Sequence, residues 1–313
     1  MEIFGSNFDD SVFSEAKDRG SMFISSYNAK RCEPEWFCES AVLDTEDSLE
    51  KQKVFKFRGD LALRKGNYQT ALDAYSSCLE WIADNNTSIK RDILEGMARC
   101  CAKLGDRDRA MDLVDILSKE ASNTCHLTSL LLLKVSIYQH LGAIGPRMTS
   151  LQELCSLVPY NPWNWFNLGK MCVELLEHNA TSEMKEREAE DGVDLTESKL
   201  WLKACTSFIR TRLLLKILQQ QQSSFARKRN ENVLQSLEDA LKRLNANKIT
   251  LKILTEVMSE DLIPDKMKED YQDGESLSSV CLQSFSERWW NKILLTGILE
   301  ADGRGGVRSD TTL

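Results

Sequence analysis

Residues 55–82 read FKFRGDLALRKGNYQTALDAYSSCLEWI, and within them Gly59, Gly66, Tyr68, Ala71 and Tyr75 fall at offsets 0, 7, 9, 12 and 16. Residues three and four apart share one face of a helix, so the stretch predicts two short helices meeting at Gly66. Glycine there accepts the positive φ that a tight turn demands. Gly59 and Ala71 are small enough for the two helices to pack closely as an antiparallel pair. Tyr75 is left to fill the crevice toward the next pair.

The spacing returns along the chain. Thirty-nine residues after Gly59, the residues Leu94, Met97, Ala98, LGD at 104–106, Ala110, Val114 and Leu117 occupy the same places. A third unit keeps Leu131, Tyr138, LG at 141–142, Leu151, Leu154 and Pro159, but has Arg147 where a small residue is expected, and GPRM is expected to distort its turn. In NPWNWFNLGKMCVELLE, residues 161–177, Trp165, Leu168, Gly169 and Cys172 open a fourth unit. Its second helix resumes after an acidic insertion, in LKACTSFIRTRLLLKIL, where Ala204 and Phe208 keep their spacing. A helical hairpin recurring at about 34 residues is the mark of a tetratricopeptide-like solenoid.

The fold expected is therefore all-α, a tetratricopeptide-like helical-hairpin solenoid with extra C-terminal helices. An acidic, largely disordered arm spans 1–50 and the helical repeat domain spans 51–300. Repeats lie near 52–85, 91–124, 128–161 and 162–176, the last continued at 200–218. The acidic insertion covers 177–199, C-terminal helices 230–300, and a flexible tail 301–313. In the C-terminal helices, positions 277, 281, 285, 289 and 293 (Leu, Cys, Phe, Trp, Ile) form one apolar stripe, expected to cap the solenoid's end.

Charge and cysteine usage exclude several function classes. Residues 1–50 carry 12 acidic and 4 basic side chains, so the net charge of −8 belongs to that arm and the remainder is neutral. Such a balance argues against a global affinity for nucleic acid or membrane. No apolar run approaches the roughly 18 residues that a membrane helix needs. MEIFGSNFDDSVFSE has neither the basic nor the apolar region of a secretory leader, so the protein is expected in the cytoplasm, the nucleus or both. Cys78, Cys101, Cys155, Cys172 and Cys205 sit at apolar helical positions and read as reduced core thiols. Adjacent Cys100 and Cys101 point to different faces, and no C-x-x-C pair exists, so no metal site is expected.

The combination of CEPEWF, KGNYQTALDAYSS, NPWNWFNLGK and LKACTSFIRTRLLL resembles an uncharacterised vertebrate protein family encoded by an open reading frame on human chromosome 8. The likeness runs in patches from about residue 8 to 295. It implies a tetratricopeptide-like fold and supplies no activity or catalytic residues. The chain departs from the family after Ile293 and in the length of its acidic insertion.

Catalytic chemistry has little material. Only His126, His140 and His178 are present, and no phosphate loop, H-E-x-x-H or G-x-S-x-G occurs, so neither enzyme activity nor a cofactor is expected. What remains is a concave groove lined by first helices of the hairpins. A protein partner supplying a peptide or helix would be held by Trp163 and Phe166 as anchors, with Lys56, Arg99 or Lys170 meeting an acidic group. The competing reading is that the C-terminal helices cover those aromatics. Chaperone C-terminal tails are not expected as ligands, because Asp60 and Gly96 stand where the groove would need asparagines.

Two further elements carry hypotheses. Trp36 and Phe37, set among carboxylates, would make the arm autoinhibitory if they docked near Lys53, Lys56 and Arg64. The segment 199–229 holds Arg210, Arg212, Arg227, Lys228 and Arg229 and no acid, which offers an RNA or DNA contact as the alternative function. Its bland reading is a solvated helix face neutralised by the insertion just upstream. The terminal TTL has the form of a PDZ-domain ligand.

Overall fold

The computed structural model describes residues 35–83, 85–183, 195–219, 224–263 and 280–301. No strand occurs among them; the architecture is all-helical. Helices α1 (Ser48–Lys65), α2 (Tyr68–Leu79), α3 (Thr87–Leu104), α4 (Arg107–Glu120), α5 (Thr124–His140), α6 (Ile144–Leu157), α7 (Pro162–Glu183) and α8 (Leu195–Gln219) follow in order. Each odd-numbered helix packs on the even-numbered helix after it. Then α9 (Ser224–Arg243) and α10 (Lys248–Ser259) lie against α8.

Local chemistry explains where these helices begin and end. Asp47, Asn86, Asp106, Asn123 and Asn247 precede helices and accept hydrogen bonds from the backbone N–H groups of Leu49, Ile89, Arg109, His126 and Thr250. Each thereby satisfies a donor that the helix itself leaves open. At the other ends of α1 and α3, Gly66 and Gly105 adopt φ +81°, and their N–H groups close the last turn. Two expected boundaries move. Residues 36–43 form short 3-10 turns and α1 begins at Ser48, so the arm is structured from Glu35 onward, while 1–34 lie outside the described residues. The insertion shrinks to 184–194, also outside them, because α7 and α8 extend into it. The tail from 302 lies outside them as well.

Close helix approach depends on missing Cβ atoms. The Tyr75 ring lies between Gly59 and Gly96, where an added Cβ would come within 2.5 Å and 2.8 Å of it. The Tyr75 hydroxyl donates to Asp60 at 2.8 Å. In the last hairpin Phe208 lies as close to Gly169, at 2.6 Å from a built Cβ. Phe208 is fully buried, and an added Cβ would have to displace its ring, so Gly169→Ala should destabilise the protein by about 1–3 kcal/mol. Urea unfolding checks this; an unchanged midpoint would mean that α7 and α8 do not pack at this distance. GPRM does not distort a turn: the turn is made at Leu141 and Gly142, and Pro146 falls in the first turn of α6, where a missing N–H costs nothing.

Among the described residues two large cores stand beside a small cluster of Cys172, Leu200 and Ala204. One joins α1 to α5 through Leu72, Tyr75, Ile93, Met97, Val114 and Ile137; the other joins α5 to the C-terminal segment. Helix α5 serves both, sending Leu130 and Leu133 to the first and Leu131 to the second. Cys100 and Cys101, adjacent and so on different faces of α3, are both buried, because α3 has neighbours on either side.

The C-terminal segment does not simply extend the row. Helix α11 (Leu282–Phe285), a π-helical turn (Ser286–Trp290), α12 (Asn291–Leu294) and α13 (Ile298–Ala301) fold back over α6, α8 and α10. Phe285, Trp289 and Ile293 are buried as the stripe predicts, but Cys281 is exposed and Leu277 lies outside the described residues. The π turn holds one extra residue, and Trp290 is buried beside Trp289.

Candidate functional site

The groove residues expected on the first helices do not form one site. On α1, Lys56 is bonded to Asp60 at 2.9 Å. On α3, Arg99 donates twice to one Glu95 oxygen, at 2.7 Å and 3.1 Å. Both cations are thus matched by carboxylates on their own helices. Next to Glu95 a small cleft of about 240 Å³ opens between α3 and α5, lined by Asp92, His126, Ser129 and Leu133.

Helix α7 brings Trp163, Phe166 and Lys170 together. The Lys170 ammonium stands 4.6 Å from the Phe166 ring centroid, and Phe166 is 6.3 Å from the ring of Phe208. Phe166 and Lys170 belong to a larger cleft of about 470 Å³ whose lining continues through Val173, Glu174, Leu176 and Glu177 and crosses to Ser236, Ala240 and Arg243 of α9. Helix α8 lies beneath and runs antiparallel to both walls: Trp201, near its start, donates to the Leu244 carbonyl just past α9 at 2.8 Å. The floor is apolar. Of the charged groups, Glu174 is tied to Arg147 at 3.1 Å. Lys170 and Arg243 have no carboxylate within ion-pair distance among the described residues.

The aromatics are partly covered, as the competing reading foresaw. Arg229 of α9 lays its guanidinium 4.3 Å over the Trp163 ring, whereas Phe166 still lines the cleft. The far wall, from Ser236 to Leu244, was not among the expected site residues. Its helix was legible in NVLQSLEDALKRL, but nothing in that local pattern says that α9 returns alongside α7.

The basic segment resolves into individual roles. Arg210 is fully buried, its guanidinium bonded to both Asp261 oxygens and to the Met258 carbonyl, and so cannot reach a nucleic acid. Arg212 pairs with Glu238 at 3.2 Å and Arg227 with Glu231 at 3.1 Å. Arg229 stacks on Trp163, and Lys228 is exposed. Among the described residues, the acids that answer these cations come from α9 and from Asp261 just past α10.

The arm's aromatics dock on α1, next to Lys53 and Lys56. Trp36 and Phe37 pack on Phe57, at ring distances of 6.3 Å and 5.6 Å. Arg58 donates to the Phe37 and Glu39 carbonyls at 2.7 Å and 3.0 Å, and Lys65 pairs with Glu35. Phe57 lies four residues after Lys53 and three before Asp60 and so shares their side of α1, whereas Arg58 and Lys65 lie further around the helix, and the contact sits at the edge of the groove face.

Burial silences the core thiols. It pushes Cys172 up to about 12 and Cys155 well above its ordinary value, so both stay protonated at neutral pH. No group of three or more His, Cys, Asp or Glu among the described residues is placed to hold a metal ion. No helix among them is long and apolar enough to cross a membrane.

A family model described as "Family of unknown function (DUF5588)" matches residues 2–190 and 170–294. The human "Uncharacterized protein C8orf76" is 36% identical over 358 aligned positions that cover 93% of each chain. Its rat homolog is 31% identical over 352, again with 93% of each covered.

Proposed function

The chain belongs to the DUF5588 family of unknown function, and we propose that it is a non-enzymatic adaptor, a tetratricopeptide-like solenoid that holds a peptide or helix of another protein in its groove. The observation that carries this reading is the cleft of about 470 Å³ between α7 and α9. Its apolar floor, running from Phe166 to Leu176 along α7, suits a row of anchoring side chains, and its rim offers Lys170 and Arg243, neither matched by a carboxylate among the described residues. Apolar anchors flanked by polar contacts are how helix and peptide grooves recognise their ligands. Support for the solenoid comes from the paired helices and from the repeated glycine-to-aromatic contact, Gly59 with Tyr75 and Gly169 with Phe208. The nucleic-acid alternative loses support, since Arg210 is buried and Arg212 and Arg227 are paired.

The test is affinity purification of the tagged chain from cells, with and without nuclease, followed by mass spectrometry. Wild type is compared with Trp163→Ala/Phe166→Ala and with Lys170→Glu, each checked for native helicity. Partners that resist nuclease should be lost from both groove variants, with affinities weakened about thirtyfold, as for an interface hot spot. Retention of every partner by folded variants would remove the groove reading. Loss on nuclease treatment alone would move the function to nucleic acid.

A further inference from the structure

We propose that the groove between α7 and α9 is occupied, in the partner-free protein, by the acidic segment around residues 4–15 of the same chain, so that a partner must displace it. This rests on the groove reading above and adds its regulation.

The groove specifies its occupant in length and charge. From Phe166 to Glu177 its lining runs about 16 Å along α7, three helical turns at 1.5 Å per residue. The floor of Phe166, Val173, Leu176, Phe208, Ala240 and Leu244 asks for a row of apolar side chains. The rim carries Glu174, already tied to Arg147, and Glu177 further along α7; Lys170 and Arg243, with exposed Lys228 and Arg229 near the Trp163 end, outnumber them and ask for carboxylates. The occupant is thus an acidic amphipathic segment about three turns long.

The sequence FGSNFDDSVFSE at residues 4–15 has this composition. Phe4, Phe8 and Val12 recur at every fourth position, which would align them on one stripe of a helix. Asp9, Asp10 and Glu15 supply the charge, and no basic residue interrupts it. The sequences 184–194 and 264–279 are also acidic, yet neither has such a row of large apolar residues.

Reach is sufficient. Twenty-two residues lie between Val12 and Glu35, which is held against Lys65 on α1. An extended chain of that length spans about 75 Å at ~3.3 Å per residue. Helices packed about 10 Å apart place α7 roughly 30 Å from α1, three hairpins away. The docking of Trp36 and Phe37 on Phe57 anchors the linker without covering the groove.

The decisive experiment uses the full chain with the photo-crosslinker p-benzoylphenylalanine at position 8, irradiated at low protein concentration, with crosslinks mapped by mass spectrometry. Intramolecular crosslinks to residues 163–177 or 236–244 are expected. They should fall roughly tenfold when Lys170→Glu and Arg243→Glu place like charges against the segment. An excess of a synthetic peptide of residues 1–20 should suppress them, and the same peptide with Phe4, Phe8 and Val12 changed to alanine should not. Crosslinks mapping elsewhere, crosslinks only between two copies, or none at all would each overturn the proposal. If they map elsewhere while Phe166→Ala still strips partners, this inference falls and the adaptor reading stands. Groove crosslinks without any groove-dependent partner would instead keep the segment in the groove and remove the adaptor reading.

Discussion

Asp261→Ala is expected to lower the free energy of unfolding by about 3–5 kcal/mol, the range for removing one member of a buried ion pair. Arg210 is fully buried and commits its guanidinium to both Asp261 oxygens and to the Met258 carbonyl. Arg288 reaches the same carboxylate at 3.5 Å. Without Asp261 the Arg210 charge stays in the core with no counter-charge of its own there, only the Met258 carbonyl and the Tyr160 and Trp165 rings, the rings at 5.7 Å and 5.9 Å. That arrangement ties α8 to α10 and to the C-terminal segment, so the loss should appear as a lower denaturant midpoint. Arg210→Met combined with Asp261→Leu should recover most of the loss, because apolar pairs of similar volume often replace buried ion pairs at little cost. If the single and double variants unfold alike, the bridge is not what holds these helices together.

Trp165→Ala should cost a similar amount, about 3–5 kcal/mol, out of a total of order 5–15. The indole is fully buried, its Nε1 donates to the Pro159 carbonyl at 2.8 Å, and its ring meets Phe285 and Trp289 at 5.8 Å and 5.1 Å. Removal leaves a cavity between helices that already pack without slack and orphans a carbonyl. Trp165→Phe keeps much of the volume and should lose less. Circular dichroism during urea unfolding separates the two, and a neutral alanine variant would contradict the assignment of Trp165 to the core of the last hairpin.

The helix-packing positions were readable because they depend on neighbours three or four residues away or across one turn. Gly59 with Tyr75, Gly169 with Phe208 and buried Trp165 follow from such spacing. Phe166 and Lys170 were legible as neighbours for the same reason: both lie on one face of α7, and both line the cleft. The opposite wall was not. Ala240 and Arg243 look like any amphipathic helix in sequence, and only the return of α9 along α8 brings them opposite Phe166.

By itself, the sequence determined an all-helical chain, the pairing of consecutive helices, their caps and glycine turns, and the burial of the signature aromatics. Those features arise from side-chain periodicity and backbone hydrogen bonding, which act locally. Tertiary structure alone decided that Arg210 is a buried structural charge rather than a surface contact, and that Trp36 docks on Phe57. It alone also set the C-terminal segment over Trp165. An arginine has the same formula in water and in a core; its role depends on whether a carboxylate from 51 residues away arrives to offset its desolvation, and that is a property of the packed fold.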